Sequence, residues 1–125
     1  MHIRSPNRKL YYRLILEKAF HVELDDFFLY LELQEEGARL CFLSPVLAMQ
    51  FKASLKDKIL DMLPLEMDQT CVWDTQESEL VFSQVFDFTK MGHSLFVKKL
   101  ESFQKKIFEC LILIEKFHVE HQLLR

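Results

Sequence analysis

Residues 93–122, HSLFVKKLESFQKKIFECLILIEKFHVEHQ, run without a proline or glycine and decide the fold. Phe96, Leu100, Phe103, Ile107, Leu111, Ile114 and Phe117 recur at steps of four and three, the spacing that puts side chains on one stripe of an α-helix. Lys98, Glu101, Lys105 and Glu109 fall on the far side. Between Ile107 and Ile114 the polar side closes up, because Phe108, Cys110, Ile112 and Leu113 add apolar groups at angles the main stripe does not reach. A helix apolar all round is covered on more than one side, so either the rest of the domain wraps this segment or another chain does.

Working back towards the N-terminus, Ser5-Pro6-Asn7 is a helix-start signal. Leu10, Leu14, Tyr11, Ile15 and Ala19, with Leu16 and Phe20, supply an apolar face for a first helix ending near Phe20 to Val22. From Phe27 the period becomes two: Leu29, Leu31 and Leu33 point one way, Phe28, Tyr30, Glu32 and Gln34 the other. Glu35-Glu36-Gly37 supplies a turn and Ala38 to Leu43 a returning strand. Ser44-Pro45 then reads as an N-cap followed by a first-turn proline. Val46, Leu47, Phe51, Leu55, Ile59, Met62 and Leu63 continue at helical spacing opposite Lys52, Lys56, Asp57 and Lys58. Pro45 to Met49 also satisfies a strand template, so that boundary stays open.

Past Pro64, Thr70 to Trp73 and Glu79 to Phe88 form a second strand pair, with Leu80, Phe82, Phe86 and Phe88 on one face and Val81, Ser83, Val85 and Asp87 on the other. The fold class is α+β: helix, strands, helix, strands and a long C-terminal helix, with an antiparallel sheet of about four to five strands and three helices stacked on one face. At 125 residues, half of them hydrophobic and 12 of them Phe, residues 1–125 read as a single ordered domain.

Composition narrows the function by exclusion. Sixteen basic and 19 acidic residues give a net charge of -3, which argues against a dedicated nucleic-acid binder. The basic cluster Arg4, Arg8, Lys9 and Arg13 reads as a solvated helix start. Cys41, Cys71 and Cys110 show no C-x-x-C spacing and read as small core residues of a reducing compartment. MHIRSPNRKLYYRL lacks the apolar stretch of a secretory signal, and no apolar run approaches the roughly 18 residues of a membrane span. A cytoplasmic location is therefore expected.

Chemistry is sparse. Glu115-x-x-His118-x-x-His121 has the spacing of a carboxylate-bundle metal step, but a second copy is missing and the histidines suit the last turns of a helix, so no metal is expected. The only glycines, Gly37 and Gly92, stand in no phosphate-cradling pattern, and Asp25-Asp26 reads as a polar strand entry. Neither a catalytic set nor a cofactor is expected. Trp73, Phe82, Phe86 and Phe88 lie among Asp74, Glu77, Glu79 and Asp87, which suits core packing and not a nucleic-acid platform. What remains is more apolar surface than one sheet-and-helix layer can hide, and such surface marks protein interaction sites.

In size, mild acidity and element order the chain resembles the small dimeric chaperones of bacterial type III secretion. Glu79-Leu80-Val81-Phe82-Ser83-Gln84-Val85-Phe86 is similar to that family's last strand, and Phe103, Ile107 and Phe117 to its closing helix. The family usually shows three strands before the middle helix, a count that Val22-Glu23-Leu24 would complete. The resemblance implies a dimer interface on the middle helix and adjoining strand, here Phe51, Leu55, Ile59, Cys71 and Trp73. It implies client-binding positions at Leu10, Leu14, Phe28, Tyr30 and Leu43. The expected function is an ATP-independent cytosolic chaperone, homodimeric or paired with a related chain, that keeps a non-globular segment of a secreted effector export-competent. The alternative is a small adaptor, assembly or regulatory subunit of a larger complex, without catalysis.

Overall fold

A computed structural model describes residues 6–24, 27–47, 53–74 and 79–123. Among them the order is α1 (Pro6–Glu17), β1 (Ala19–Leu24), β2 (Phe27–Gln34), β3 (Arg39–Leu47), α2 (Ala53–Met62), β4 (Gln69–Asp74), β5 (Glu79–Asp87) and α3 (His93–Leu123). All strands pair antiparallel in one sheet, in the spatial order β1-β2-β3-β5-β4. The α+β class and the long closing helix are as the hydrophobic periods predict. Phe108 and Ile112 of that helix are nevertheless exposed, so the domain does not wrap it on every side.

Three strands precede α2, because the first helix stops earlier than its apolar pattern suggests. Lys18 adopts a left-handed φ of 70°, donates its N–H to the Leu14 carbonyl at 2.8 Å, and so closes the helix at Glu17. Its own carbonyl accepts the Leu33 N–H at 2.7 Å, which delivers the chain directly into the sheet. Ala19 to Leu24 is therefore a strand, with Phe20 and Val22 turned towards the helices. Gly37, at φ 89°, supplies the turn between β2 and β3.

The Ser44-Pro45 pair is not a helix start either. Both residues lie in β3, which stays in register with β5 to Leu47 although its register with β2 ends at Leu43. Pro45 has no N–H to donate, and the fully buried Ser44 hydroxyl instead donates to the Phe28 carbonyl at 2.8 Å. The strand template wins over the capping template because a hydroxyl replaces the missing ladder bond.

One face of the sheet carries the core. Phe20, Leu31 and Phe42 stand side by side on β1, β2 and β3, and Leu33, Leu40 and Phe86 form the neighbouring row. Phe42 meets Phe86, Phe96 and Phe103 at ring separations of 4.9, 6.0 and 5.4 Å, joining the sheet to α3. On α3 the buried line is Phe96, Leu100, Phe103, Ile107, Cys110 and Ile114, with Leu111 and Phe117 half-buried at its margin. Tyr11 fixes α1 against the start of that helix, its ring 5.5 Å from Phe96 and its hydroxyl donating to the Met91 carbonyl at 3.2 Å. Ile59 and Leu63 bring α2 onto the same core, and the Lys106 ammonium binds the Pro64 carbonyl at 2.9 Å. All three helices thus gather on one side of the sheet.

Candidate functional site

Strand alternation turns every second side chain to the opposite side, where no helix among the described residues lies. His21, Tyr30, Leu43, Ser83 and Thr70 stand in register across all five strands. Ala19, Glu32, Cys41 and Val85 form a second row, and Pro45, Val81 and Val72 a third; Phe28, two residues before Tyr30 on the same face of β2, stands opposite Glu23. An antiparallel sheet with one bare face normally shows polar groups there. This one shows Phe28 at 48% and Val72 at 59% exposure, with Leu43, Pro45, Val81 and Val85 half-buried. Outward apolar side chains on four strands, interrupted at Ser83 and Thr70, make an apolar patch, the feature that marks a protein-binding surface.

Charge is distributed unevenly round this patch. At the β1–β2 corner the His21 ring lies 5.0 Å from Tyr30 and 6.2 Å from Phe28. Glu23 stands opposite Phe28, and Glu32 follows Tyr30 on the same face. The Glu32 carboxylate accepts a hydrogen bond from Gln34 at 2.9 Å, and no cation among the described residues pairs with it. Partial burial, and then the neighbouring Glu32 charge, hold the Tyr30 phenol above its ordinary range. Arg39, opposite Gln34 on the neighbouring strand, is engaged by Glu35 at 3.6 Å.

The structure redistributes the residues the sequence points to. Phe28, Tyr30 and Leu43 do come together, Tyr30 directly opposite Leu43. Leu10 and Leu14 do not join them: Leu14 is 0% exposed, and both leucines sit in the core under α1, whose outward side is Tyr12, Ile15 and Leu16. Ile59 is likewise fully buried within the chain and is unavailable to a second one. Leu55, Cys71 and Trp73 are half-buried; Cys71 and Trp73 face the helix side, and the Lys56 ammonium lies 4.4 Å over the Trp73 ring. Phe51 and the Asp25-Asp26 pair lie outside the described residues. Pro45, Val72, Val81 and Val85 are the additions. For Val81 and Val85 the signal was the run Glu79 to Phe88, in which both alternating faces carry apolar residues, whereas Pro45 and Val72 are placed by strand register.

Among the described residues no group of three or more His, Cys, Asp or Glu side chains could hold a metal ion, and no helix is long and apolar enough to cross a membrane. The three cysteines are free thiols. Burial pushes Cys71 up to about 12 and Cys110 up to about 11, from an ordinary 9.0. Both thiols therefore stay protonated in the folded state at pH values where the unfolded chain releases those protons. The two thiols are expected to leave stability unchanged from about pH 7 to 9 and to lower it between pH 9 and about 12, as read by urea midpoints across that range. A midpoint that rises there would contradict the burial of the two thiols.

Several solved structures share this arrangement. YbjN of E. coli, described as a candidate transcription regulator, matches with a TM-score of 0.67 at 11% identity over 94% of this chain and 97% of its own. The Yersinia pestis type III secretion chaperone SycH, solved with a stable fragment of YscM2, matches with a TM-score of 0.52 at 17% identity, over 72% of this chain and 78% of its own. The chaperone–effector complex of HopA1 and SchA gives 0.53 at 16% identity, over 86% of this chain and 94% of that one. The fold is the one shared by YbjN and the type III secretion chaperones. No family model matches the chain, and no curated protein matches it in sequence. Within this fold the bare sheet face, assembled from β2, β3, β5 and β4, is a property of the chain's own residues.

Proposed function

We propose that this chain binds a non-globular segment of another polypeptide on the outer face of its sheet, without nucleotide or catalysis, and keeps it soluble. For a secreted effector in the cytoplasm, that amounts to keeping it competent for export. The observation that carries the reading is the apolar patch of Leu43, Pro45, Val81 and Val72, with Phe28 exposed on the same face, on a sheet whose other face is filled. Solved examples of the same fold, one in complex with a protein fragment and one with an effector, support it. The reading includes pairing with a second copy, or with a related chain, through the half-buried Leu55 of α2 and the edge strand β4.

The test is a double variant, Leu43→Asp with Val81→Asp, compared with the parent for binding of a client segment found by co-purification from the native host. Two carboxylates at half-buried outward positions are expected to weaken binding at least about tenfold, which corresponds to about 1.4 kcal/mol. The folded state should persist, because neither residue enters the helix-side core. Equal affinity of variant and parent would remove the face from the function. The adaptor reading keeps one specific support, the exposed line of Phe108, Ile112 and Val119 on α3. An adaptor would aggregate alone and be rescued by a folded partner, whereas a chaperone is soluble alone and binds an unfolded segment.

A further inference from the structure

Apolar surface alone does not choose a partner, but the charge at its β1–β2 corner does. Along the outer side of this hairpin the order is Glu32 beside Ala19, then Tyr30 beside His21, then Phe28 beside Glu23. Two carboxylates therefore bracket a cluster of three aromatic rings, with ring separations of 5.0 and 6.2 Å. Ala19 and Glu23 are four residues apart on β1, so the two acidic positions stand roughly 13 Å apart at about 3.3 Å per residue. Neither carboxylate has a cationic partner among the described residues. A carboxylate beside an aromatic face is a seat for an ammonium or guanidinium group, which gains from the charge and from the ring together.

We propose that the occupant of the outer face is a cationic amphipathic segment, whose apolar residues cover Leu43, Val81 and Val72 and whose lysine or arginine residues sit at the corner between Glu23 and Glu32. This rests on the reading of the face as a polypeptide-binding surface and adds the chemistry of what it selects. A second copy of the chain does not supply this cation from its own outer face, where the corner carries Glu23 and Glu32 and Arg39 is held by Glu35. Nucleic acid and anionic lipid surfaces are repelled by the same rim.

Two synthetic peptides test the inference. They share one set of leucine and phenylalanine residues but carry two lysines in one case and two glutamates in the other. The lysine peptide is expected to bind the intact chain at least about tenfold more tightly at low salt, with the advantage shrinking as salt rises. In the variant Glu23→Gln with Glu32→Gln the two peptides should converge, while Glu79→Gln on β5 leaves the preference in place. Equal binding of both peptides to the parent chain overturns the selection of cations and leaves the binding face standing. Loss of the preference in Glu79→Gln as well shows a diffuse field and overturns the corner as its seat. Failure of either peptide to bind, with Leu43→Asp and Val81→Asp equally silent towards a native client, takes the underlying reading down too. Should the glutamine variants misfold, the salt dependence of the parent chain alone decides the point: a lysine advantage indifferent to salt overturns the inference.

Discussion

Phe42→Ala is expected to destabilise the protein by about 3–5 kcal/mol, a large part of the 5–15 kcal/mol that holds a typical domain together. The ring is 0% exposed at the centre of the sheet, in edge or tilted contact with Phe86, Phe96 and Phe103. Truncation removes the apolar transfer energy and also leaves a cavity that β2, β5 and α3 cannot close, because all three are fixed by register or by helix packing. Urea titration followed by circular dichroism should show a lower midpoint at unchanged slope. A loss below about 1 kcal/mol would mean that the sheet and α3 do not meet at this residue.

Leu14→Ala is expected to cost about 2–5 kcal/mol, and it separates two roles for the first helix. As a residue of a client surface, Leu14 could be shortened with little effect on unfolding. As a core residue it cannot, and its complete burial beneath α1 places it there. Leu16, 82% exposed on the opposite side of the same helix, is the control: Leu16→Ala should stay within about 0.5 kcal/mol of the parent. Equal effects at the two positions would show that α1 does not present the Leu10–Leu14 side to the core.

Legibility followed the strength of the local period. The closing helix was plain because Phe96 to Ile114 repeat the helical step many times over, so no single ambiguous residue matters. The hairpin of β2 and β3 was plain for a similar reason, alternation plus a glycine at a left-handed turn. Strand β1 was harder, since Phe20 satisfies both a helical step from Leu16 and a strand step to Val22. What decides between them is the left-handed Lys18, a residue type that gives no warning of that conformation. Ser44-Pro45 misled because its usual meaning is local, whereas its hydroxyl is used across the sheet on Phe28.

The candidate face was half visible in the same way. Phe28, Tyr30 and Leu43 announce themselves as large apolar groups on the wrong side of an alternating strand. Pro45 and Val72 do not, because only the register of β3, β5 and β4 places them on either side of Val81. Leu10 and Leu14 illustrate the converse error: an amphipathic stripe shows that something is covered, but not whether the cover is the chain's own α3 or a client.

A sheet filled on one side and bare on the other also separates two kinds of inheritance. Mutations on the helix side are policed by folding, while those on the bare side are judged only by whatever is bound. Hydrogen-bonded rows keep the outward Cβ atoms at set positions, like holes in a pegboard, whichever side chains occupy them. Descendants of such a protein can swap the pegs and acquire a new guest without disturbing the board.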